Sequence, residues 1–170
     1  MSFSDQKAHM SVTTQDFATG MRKLAASVTV ITTIDDGVRH GLTASAVTSL
    51  SAEPPSLLAC INEAAGANPY IKRSGIFCVN ILAKSQVEIS NIFSRDGVGD
   101  RFAYGEWETA PSGAPRLIGA AASFDCRLMD ALPGFSHNVF IGLITDIQTS
   151  NAAPLLYADG EYGHFQIPTI

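Results

Sequence analysis

The chain has 170 residues, with 11 lysines and arginines against 16 aspartates and glutamates and a formal net charge of −5. This length suits one domain, the lack of any Lys/Arg run argues against a nucleic-acid partner, and no stretch approaches the roughly 18 consecutive apolar residues that a bilayer-spanning helix needs. Charged residues make up only 16%, against roughly 25% in an average soluble domain, so part of the surface is expected to be covered by another subunit or a ligand.

Residues 1–12, MSFSDQKAHMSV, are polar and contain too little apolar surface to offset their ordering entropy, so a mobile segment is expected ahead of one domain over 13–170. The N-terminus has no apolar secretory core, which points to the cytoplasm. Thr14 or Asp16 can cap a short helix carrying Phe17, Met21, Leu24 and Ala25 at helical spacing. Residues 27–34, SVTVITTI, are rich in β-branched side chains and run into Asp35-Asp36-Gly37, a hairpin signal that returns a second strand over 38–48. Pro54-Pro55 cannot continue a ladder and fixes the start of a third strand over 57–61. Asn68 before Pro69 reads as an N-cap with proline at the first helical position, opening a helix that Gly75 can close.

A strand is expected over 76–82, and Ser85-Gln86-Val87-Glu88 matches a capping box for a helix that runs to about Phe93. Residues 94–101 mix glycines, acids and arginines without periodicity and form a loop. Three further strands are expected over 121–129, 139–148 and 162–167. At least seven strands with two or three short helices and hairpin-length links do not give βαβ alternation. The fold class is therefore a mainly β, antiparallel β-barrel with a few peripheral helices.

Cys60, Cys78 and Cys126 are far apart and sit in apolar runs, where small buried thiols are expected. His9, His40, His137 and His164 show no ligand spacing, so no metal is expected. Gly-x-Gly-x-x-Gly, a Walker lysine loop and Gly-x-Ser-x-Gly are all missing, which removes the usual dinucleotide, P-loop and hydrolase readings.

The densest polar cluster is GLTASAVTSLS over residues 41–51. If the strand stays regular, Thr43, Ser45, Ser49 and Ser51 share one face, and small donors with little bulk suit a flat heterocycle bearing carbonyls and a phosphate. An edge strand whose hydroxyls meet water is the competing reading. His137 follows the Pro133-Gly134 turn at the mouth of a strand, where it can meet a ligand or stay solvated. Arg101 can pair bidentately with a phosphate and lay Phe102 against a ring, or form a surface pair with Asp100.

Together these segments resemble the short-chain flavin reductases, the reductase components of two-component flavin monooxygenases. Gly41-Leu42-Thr43-Ala44-Ser45-Ala46, running on to Ser49-Leu50-Ser51 and Pro54-Pro55, is similar to that family's flavin segment. Phe93-Ser94 with Asp100-Arg101-Phe102, then His137 leading into Phe140-Ile141-Gly142, then Pro154-Leu155-Leu156-Tyr157 with Gly160 and Tyr162, fall in the family's order. The family's histidine sits in Gly-Asp-His, where this chain reads Phe135-Ser136-His137.

The resemblance implies an FMN-binding split barrel, normally a homodimer, and an NAD(P)H:flavin oxidoreductase that passes hydride from NADH or NADPH to FMN or FAD and supplies reduced flavin to a monooxygenase or other acceptor. It makes His137 the catalytic, nicotinamide-orienting residue with Tyr162 as helper. Ser49, Ser51 and nearby backbone donors meet the pyrimidine edge of the flavin ring, and Ala44 and Leu50 belong to the same cofactor-binding segment. Thr43, Ser45, Asn68, Ser94 and Arg101 take the ribityl and phosphate end, and Cys60, Asn62, Phe93 and Phe102 form walls. Two other readings stand beside it: a flavin-dependent corrinoid cobalt reductase, and a non-catalytic flavin carrier.

Overall fold

The computed structural model describes residues 12–166. In chain order these form helix α1 (Thr14–Met21), strands β1 (Ala26–Ser27), β2 (Thr29–Asp35), β3 (Val38–Ala44), β4 (Val47–Ala52) and β5 (Pro55–Asn62), helix α2 (Asn68–Ser74), β6 (Ile76–Ile81) and helix α3 (Val87–Ser94). A 3-10 turn (Arg101–Ala103) leads to β7 (Trp107–Thr109), β8 (Pro115–Leu117), β9 (Ala122–Gly134), β10 (His137–Thr149), β11 (Leu155–Ala158) and β12 (Glu161–His164). The expected early mobile segment lies, except for the exposed Val12, outside the described residues. No helix among the described residues is long and apolar enough to cross a membrane.

Seven strands form one antiparallel sheet in the order β3-β2-β6-β9-β10-β5-β4. Its two edges, β3 and β4, are consecutive in the chain and joined by Ser45 and Ala46 alone. Two residues can separate the flanking Cα atoms by at most about 11 Å, so the sheet must curl until its edges nearly meet. The result is a β-barrel left open along a seam, the split barrel that the sequence led us to expect. The single strand expected over 38–48 is therefore two, broken where the chain steps across the seam: Val47 N–H bonds back to Ser45 O at 3.0 Å and Cys60 N–H to Ala46 O at 2.9 Å.

Alternation along β2 builds two cores. Ile31 points into the barrel with Leu57, Ile61, Phe77, Val79, Phe140 and, from α2, Ile71. Val30 points outward, where α3 covers it with Ile89 and Phe93, the 3-10 turn with Phe102 and β8 with Leu117. The polar residues of these strands are buried with partners: Asn80 donates to Val30 O at 3.0 Å and accepts from Leu117 N–H at 2.9 Å and Ser123 Oγ at 3.0 Å, pinning β8 and β9 to the barrel.

Helix capping departs from the expected pattern. Thr13, not Thr14, caps α1 in a box with Asp16, whose carboxyl is held below its ordinary pKa by bonds from Thr13. In α2 the N-cap is Ala67, and Asn68 is already helical; its amide instead donates back to Ile61 O and Asn62 O. The Ser85–Glu88 box does not form, because Gln86 takes that place, accepting from Ala83 N–H at 2.9 Å and donating to Ile118 O at 3.1 Å. Gly75 closes α2 in the left-handed region, as expected.

The β9–β10 hairpin is longer than the expected strands, reaching to Gly134 and His137. Pro133 is tolerated because β6 pairs only with residues 122–127 of β9, leaving the far end with β10 as its one ladder partner. The tip is unusual. Of the other two-residue hairpin turns among the described residues, Glu53-Pro54 joins β4 to β5, while Asp36-Gly37 and Asp159-Gly160 use Asp and Gly, which accept positive φ readily. Here Phe135 has φ +64° while Ser136 lies outside that region, the order of a type II′ turn whose first position favours glycine. A bulky residue held there costs about 1–3 kcal/mol.

Candidate active site

Three concavities meet at the seam. The central one, about 340 Å³, is floored by the end of β3 and the link itself, Thr43, Ala44, Ser45 and Ala46. Cys60 and Asn62 enter it from β5, Phe93 and Ser94 from α3, and Arg101 and His137 from the 3-10 turn and β10. An apolar groove of about 650 Å³ opens from Ser45 toward Val47, Ser49, Leu58, Phe124 and Ile144, with Leu24 and Ala25 along its edge. A third hollow of about 310 Å³ lies on the other side of Thr43–Ala44–Ser45, under Ser90, Tyr157 and Tyr162.

Gly41 sets this geometry. A Cβ there would lie 2.6 Å from Phe93 Cε1, so only glycine lets α3 press directly on β3. That contact brings Ser90 O within 2.8 Å of Thr43 Oγ1, which donates to it, and turns Phe93 and Ser94 toward the cavity. Gly41 O also receives Arg101 Nη1 at 3.1 Å, while Nη2 bonds Arg95 O and lies 3.9 Å from Asp96 Oδ1. Arg101 is thus a fixed cation at one end of the cavity, ready to meet an anionic group.

At the other end, His137 opens β10 opposite Asn62 of β5 and Gly134 of β9. Its Nδ1 is 2.9 Å from Ser136 Oγ, which leaves Nε2 for a ligand. Asn62 shapes the adjoining loop: its Oδ1 accepts from Ala64 N–H at 2.9 Å, and Ala65 and Gly66 beyond it line the cavity. Phe93 is 2% exposed and makes a tilted contact with Trp107 at 5.4 Å and an edge contact with Phe102 at 5.2 Å.

Nine of the residues singled out in the sequence therefore share the central cavity: Thr43, Ala44, Ser45, Cys60, Asn62, Phe93, Ser94, Arg101 and His137. Ser49 lines the apolar groove instead. The expected common face of Thr43, Ser45, Ser49 and Ser51 does not form, because the strand breaks between Ala44 and Val47. Leu50 is 49% exposed on β4, and Ser51 exchanges hydrogen bonds with the backbone of Glu53 in a turn before Pro54. Asn68 is buried beneath residues 61–62 as a brace and does not face the cavity.

Phe102 lies behind Phe93 and faces a neighbouring hollow with Arg39, whose guanidinium sits 4.6 Å over its ring. Tyr162 lies under the third hollow, its hydroxyl 2.9 Å from Ser90 Oγ and 3.2 Å from Asn91 Oδ1, so it and His137 line different hollows. Sequence reasoning missed Ala46, which carries no chemical signal, and Asp96, which the acid–arginine mixture of residues 94–101 could have suggested. It also missed the stack of His40 on Tyr70, 3.5 Å between centroids; burial first, and Arg73 nearby, hold His40 below its ordinary pKa against the pull of Asp35.

A small-residue seam with a fixed cation at one end, a histidine at the other and an apolar groove beside it can hold a flat, amphipathic, anionic ring compound. Residues 21–166 match the family model described as flavin reductase like domain. The chain is 44% identical over 146 residues to the FMN reductase (NADH) RutF of Acinetobacter baylyi, a match covering 84% of this chain and 77% of that protein. Its fold superposes on the flavin reductase PheA2 with a TM-score of 0.84 at 32% identity, covering 92% of this chain and all, 100%, of the other. It also superposes on BorF, the flavin reductase component of a bacterial two-component tryptophan halogenase, with a TM-score of 0.84 at 25% identity, covering 92% of this chain and 100% of BorF. Seam, cavity and sequence agree, and the chain belongs to the flavin reductase like domain family.

Proposed function

We propose that this chain is an NADH-dependent flavin reductase, one unit over residues 13–170, that reduces FMN and delivers the reduced flavin to an acceptor such as the monooxygenase or halogenase component of a two-component system. The observation that carries this reading is the amphipathic site itself. A flavin has an apolar benzenoid edge, a polar pyrimidine edge and an anionic ribityl phosphate, and the seam offers a surface for each. Bound flavin supplies the hydride-accepting ring; the protein supplies position and polarity.

Arg101, with Ser94 and Thr43 near it, holds the phosphate and ribityl chain. Ser45 and the backbone N–H groups of the link meet the ring, and donors aimed at its pyrimidine edge favour the charge that reduction places there. The groove beside Ser49 and Leu58 receives the benzenoid edge and excludes water from it. Cys60, Asn62 and Phe93 close the walls. His137, with Nδ1 tied to Ser136, presents Nε2 to the carboxamide of the nicotinamide and sets its ring over the flavin. The open seam, the exposed Phe17 and Met21 of α1 and the low charged fraction support a homodimer packed across the groove. Three unpaired thiols suit a reducing, cytoplasmic setting.

The test is anaerobic NADH and NADPH oxidation with FMN and FAD, together with stopped-flow mixing of the His137→Ala variant. Steady NADH consumption that depends on added FMN is expected; a protein that binds flavin but consumes no NADH would be a carrier. His137→Ala should leave flavin affinity nearly unchanged and slow hydride transfer by about 1–3 kcal/mol, the worth of one positioning hydrogen bond. Unchanged rates would remove His137 from the chemistry.

A further inference from the structure

Beside the central cavity lies a hollow of about 450 Å³ to which the reading above gives no ligand. Arg39 and His40 of β3, Tyr70 of α2, and Asp100 and Phe102 at the 3-10 turn form its walls. Arg101 and Gly66 line both this hollow and the central cavity, and a Cβ on Gly66 would meet no atom within 4 Å, so the two spaces share an open border. Arg101 is held at that border by Gly41 O, at 3.1 Å, and by Arg95 O. A ligand whose phosphate meets Arg101 therefore has somewhere to continue.

The walls have the chemistry of a nucleotide pocket. The His40 and Tyr70 rings are stacked 3.5 Å apart and only 8° from parallel, both partly exposed, and they offer a purine an aromatic surface. Arg39 lies 4.6 Å over the Phe102 ring and 3.8 Å from Asp100 Oδ2, which keeps a second guanidinium in the hollow beside that of Arg101. Asp100 Oδ1 accepts from Phe102 N–H at 3.0 Å, so its carboxylate is oriented as well. Among the lining residues, one carboxylate faces two guanidiniums, and the hollow is net positive. FMN ends at a single phosphate and leaves these groups without a task. A second phosphate, a ribose and a purine would give one partner to each wall.

We propose that this hollow is an adenylate site: it takes the adenosine half of FAD while the flavin half sits in the central cavity, so the chain binds FAD in preference to FMN. This rests on the reductase reading above, which places the flavin phosphate at Arg101. Arg39 meets the second phosphate, Asp100 accepts from the ribose hydroxyls, and the purine packs on the His40–Tyr70 pair. NADH carries the same adenylate group. Its nicotinamide, however, enters beside His137, at the end of the cavity away from Arg101, so FAD is the ligand whose two halves span the border.

The experiment is equilibrium dialysis of the whole protein against FMN and against FAD, comparing wild type with Arg39→Ala, Arg39→Lys, His40→Ala and His40→Phe. Wild type should bind FAD at least about fivefold more tightly than FMN. Arg39→Ala and His40→Ala should each weaken FAD binding about five- to tenfold and leave FMN within about twofold of wild type, which also shows that the variants fold. Arg39→Lys, which keeps the charge, should recover part of the FAD affinity, and His40→Phe, which keeps the ring, most of it. Equal wild-type affinities for the two flavins overturn the proposal. So does an equal loss of both flavins in the alanine variants, which would make these residues supports of the central cavity. NADH and reduced nicotinamide mononucleotide, with FMN as acceptor, test the other source of adenylate: alanine variants that bind FAD like wild type but raise KM for NADH alone would give the hollow to the donor and overturn the assignment to FAD. Wild-type protein that binds FAD as expected but oxidises no NADH with either flavin overturns the reductase reading and leaves the adenylate site standing.

Discussion

Where β6, β9 and β10 lie side by side, the barrel has no spare room: a Cβ on Gly142 would lie 2.5 Å from Phe77 Cζ and 3.2 Å from Cys126 Cβ. At the seam the opposite holds. Ser45 and Ala46 are exposed, their neighbours Thr43 and Ala44 only half-buried, and three hollows converge on them. Both regions use small residues, for contrary ends. Gly142 is small because a neighbouring ring already fills the space, while Ser45 and Ala46 are small and leave the hollows beside them open. On the function proposed above, the closed side carries the stability and the seam carries the binding, and the two should be separable by mutation.

The largest effect should fall on the closed side. Phe77→Ala, at a fully buried ring, should cost about 3–5 kcal/mol in denaturant unfolding. Gly142→Ala alone should cost about 1–3 kcal/mol by overpacking, and the double variant should lose clearly less than the sum, because the added methyl enters the space Phe77 leaves. Simple additivity would mean that the two do not share that space.

The same side should also be the weak point in alkali. Burial, helped by Asp125 and opposed by Arg116, pushes the Cys78 thiol from its ordinary 9.0 up to about 12, and Cys126 moves in the same direction. Between these values the unfolded chain releases the Cys78 proton and the folded chain keeps it, so stability falls as pH rises above about 9, by up to ~1.4 kcal/mol per pH unit for each thiol. Urea midpoints at pH 8 and pH 10 measure the slope, and Cys78→Ala should flatten it.

The smallest change in stability should come from the seam, where ligand affinity moves instead. Thr43→Val removes the bond to Ser90 O, about 1 kcal/mol, and should weaken FMN binding more than Thr48→Val, because Thr43 lines the central cavity and Thr48 only the groove. A larger loss for Thr48→Val in a titration would place the ring in the groove alone, and equal losses would mean that Thr43 does not set the affinity.

Much of this architecture was legible in the chain. β-branched runs and Asp36-Gly37 gave the first hairpin, and Gly75 gave the end of α2 because its left-handed φ leaves few alternatives. The seam was not, since Ser45 and Ala46 carry no turn signal; their break follows from joining two edges of a sheet that only tertiary closure brings together. Asn68 looked like a cap, and later like a ligand, because a local rule cannot foresee two buried carbonyls from the preceding strand. The reach of β9 and β10 past Pro133 was hidden for a similar reason: proline ends a central strand, and sequence alone does not say that this stretch has lost its neighbour on one side. Within the site, the hydroxyl-rich segment was visible by composition, but its division among three hollows depended on Gly41 and the approach of α3.

Trp107 gives that approach an optical consequence. It is the one tryptophan in the chain, and it packs against Phe93, whose other neighbours include the central cavity. An indole one ring removed from the site lies well within the range over which its emission is drained into a yellow chromophore. Flavin arriving at the seam should therefore darken the protein's ultraviolet fluorescence, and its departure to an acceptor should relight it, so the chain carries its own lamp for following the handover in real time.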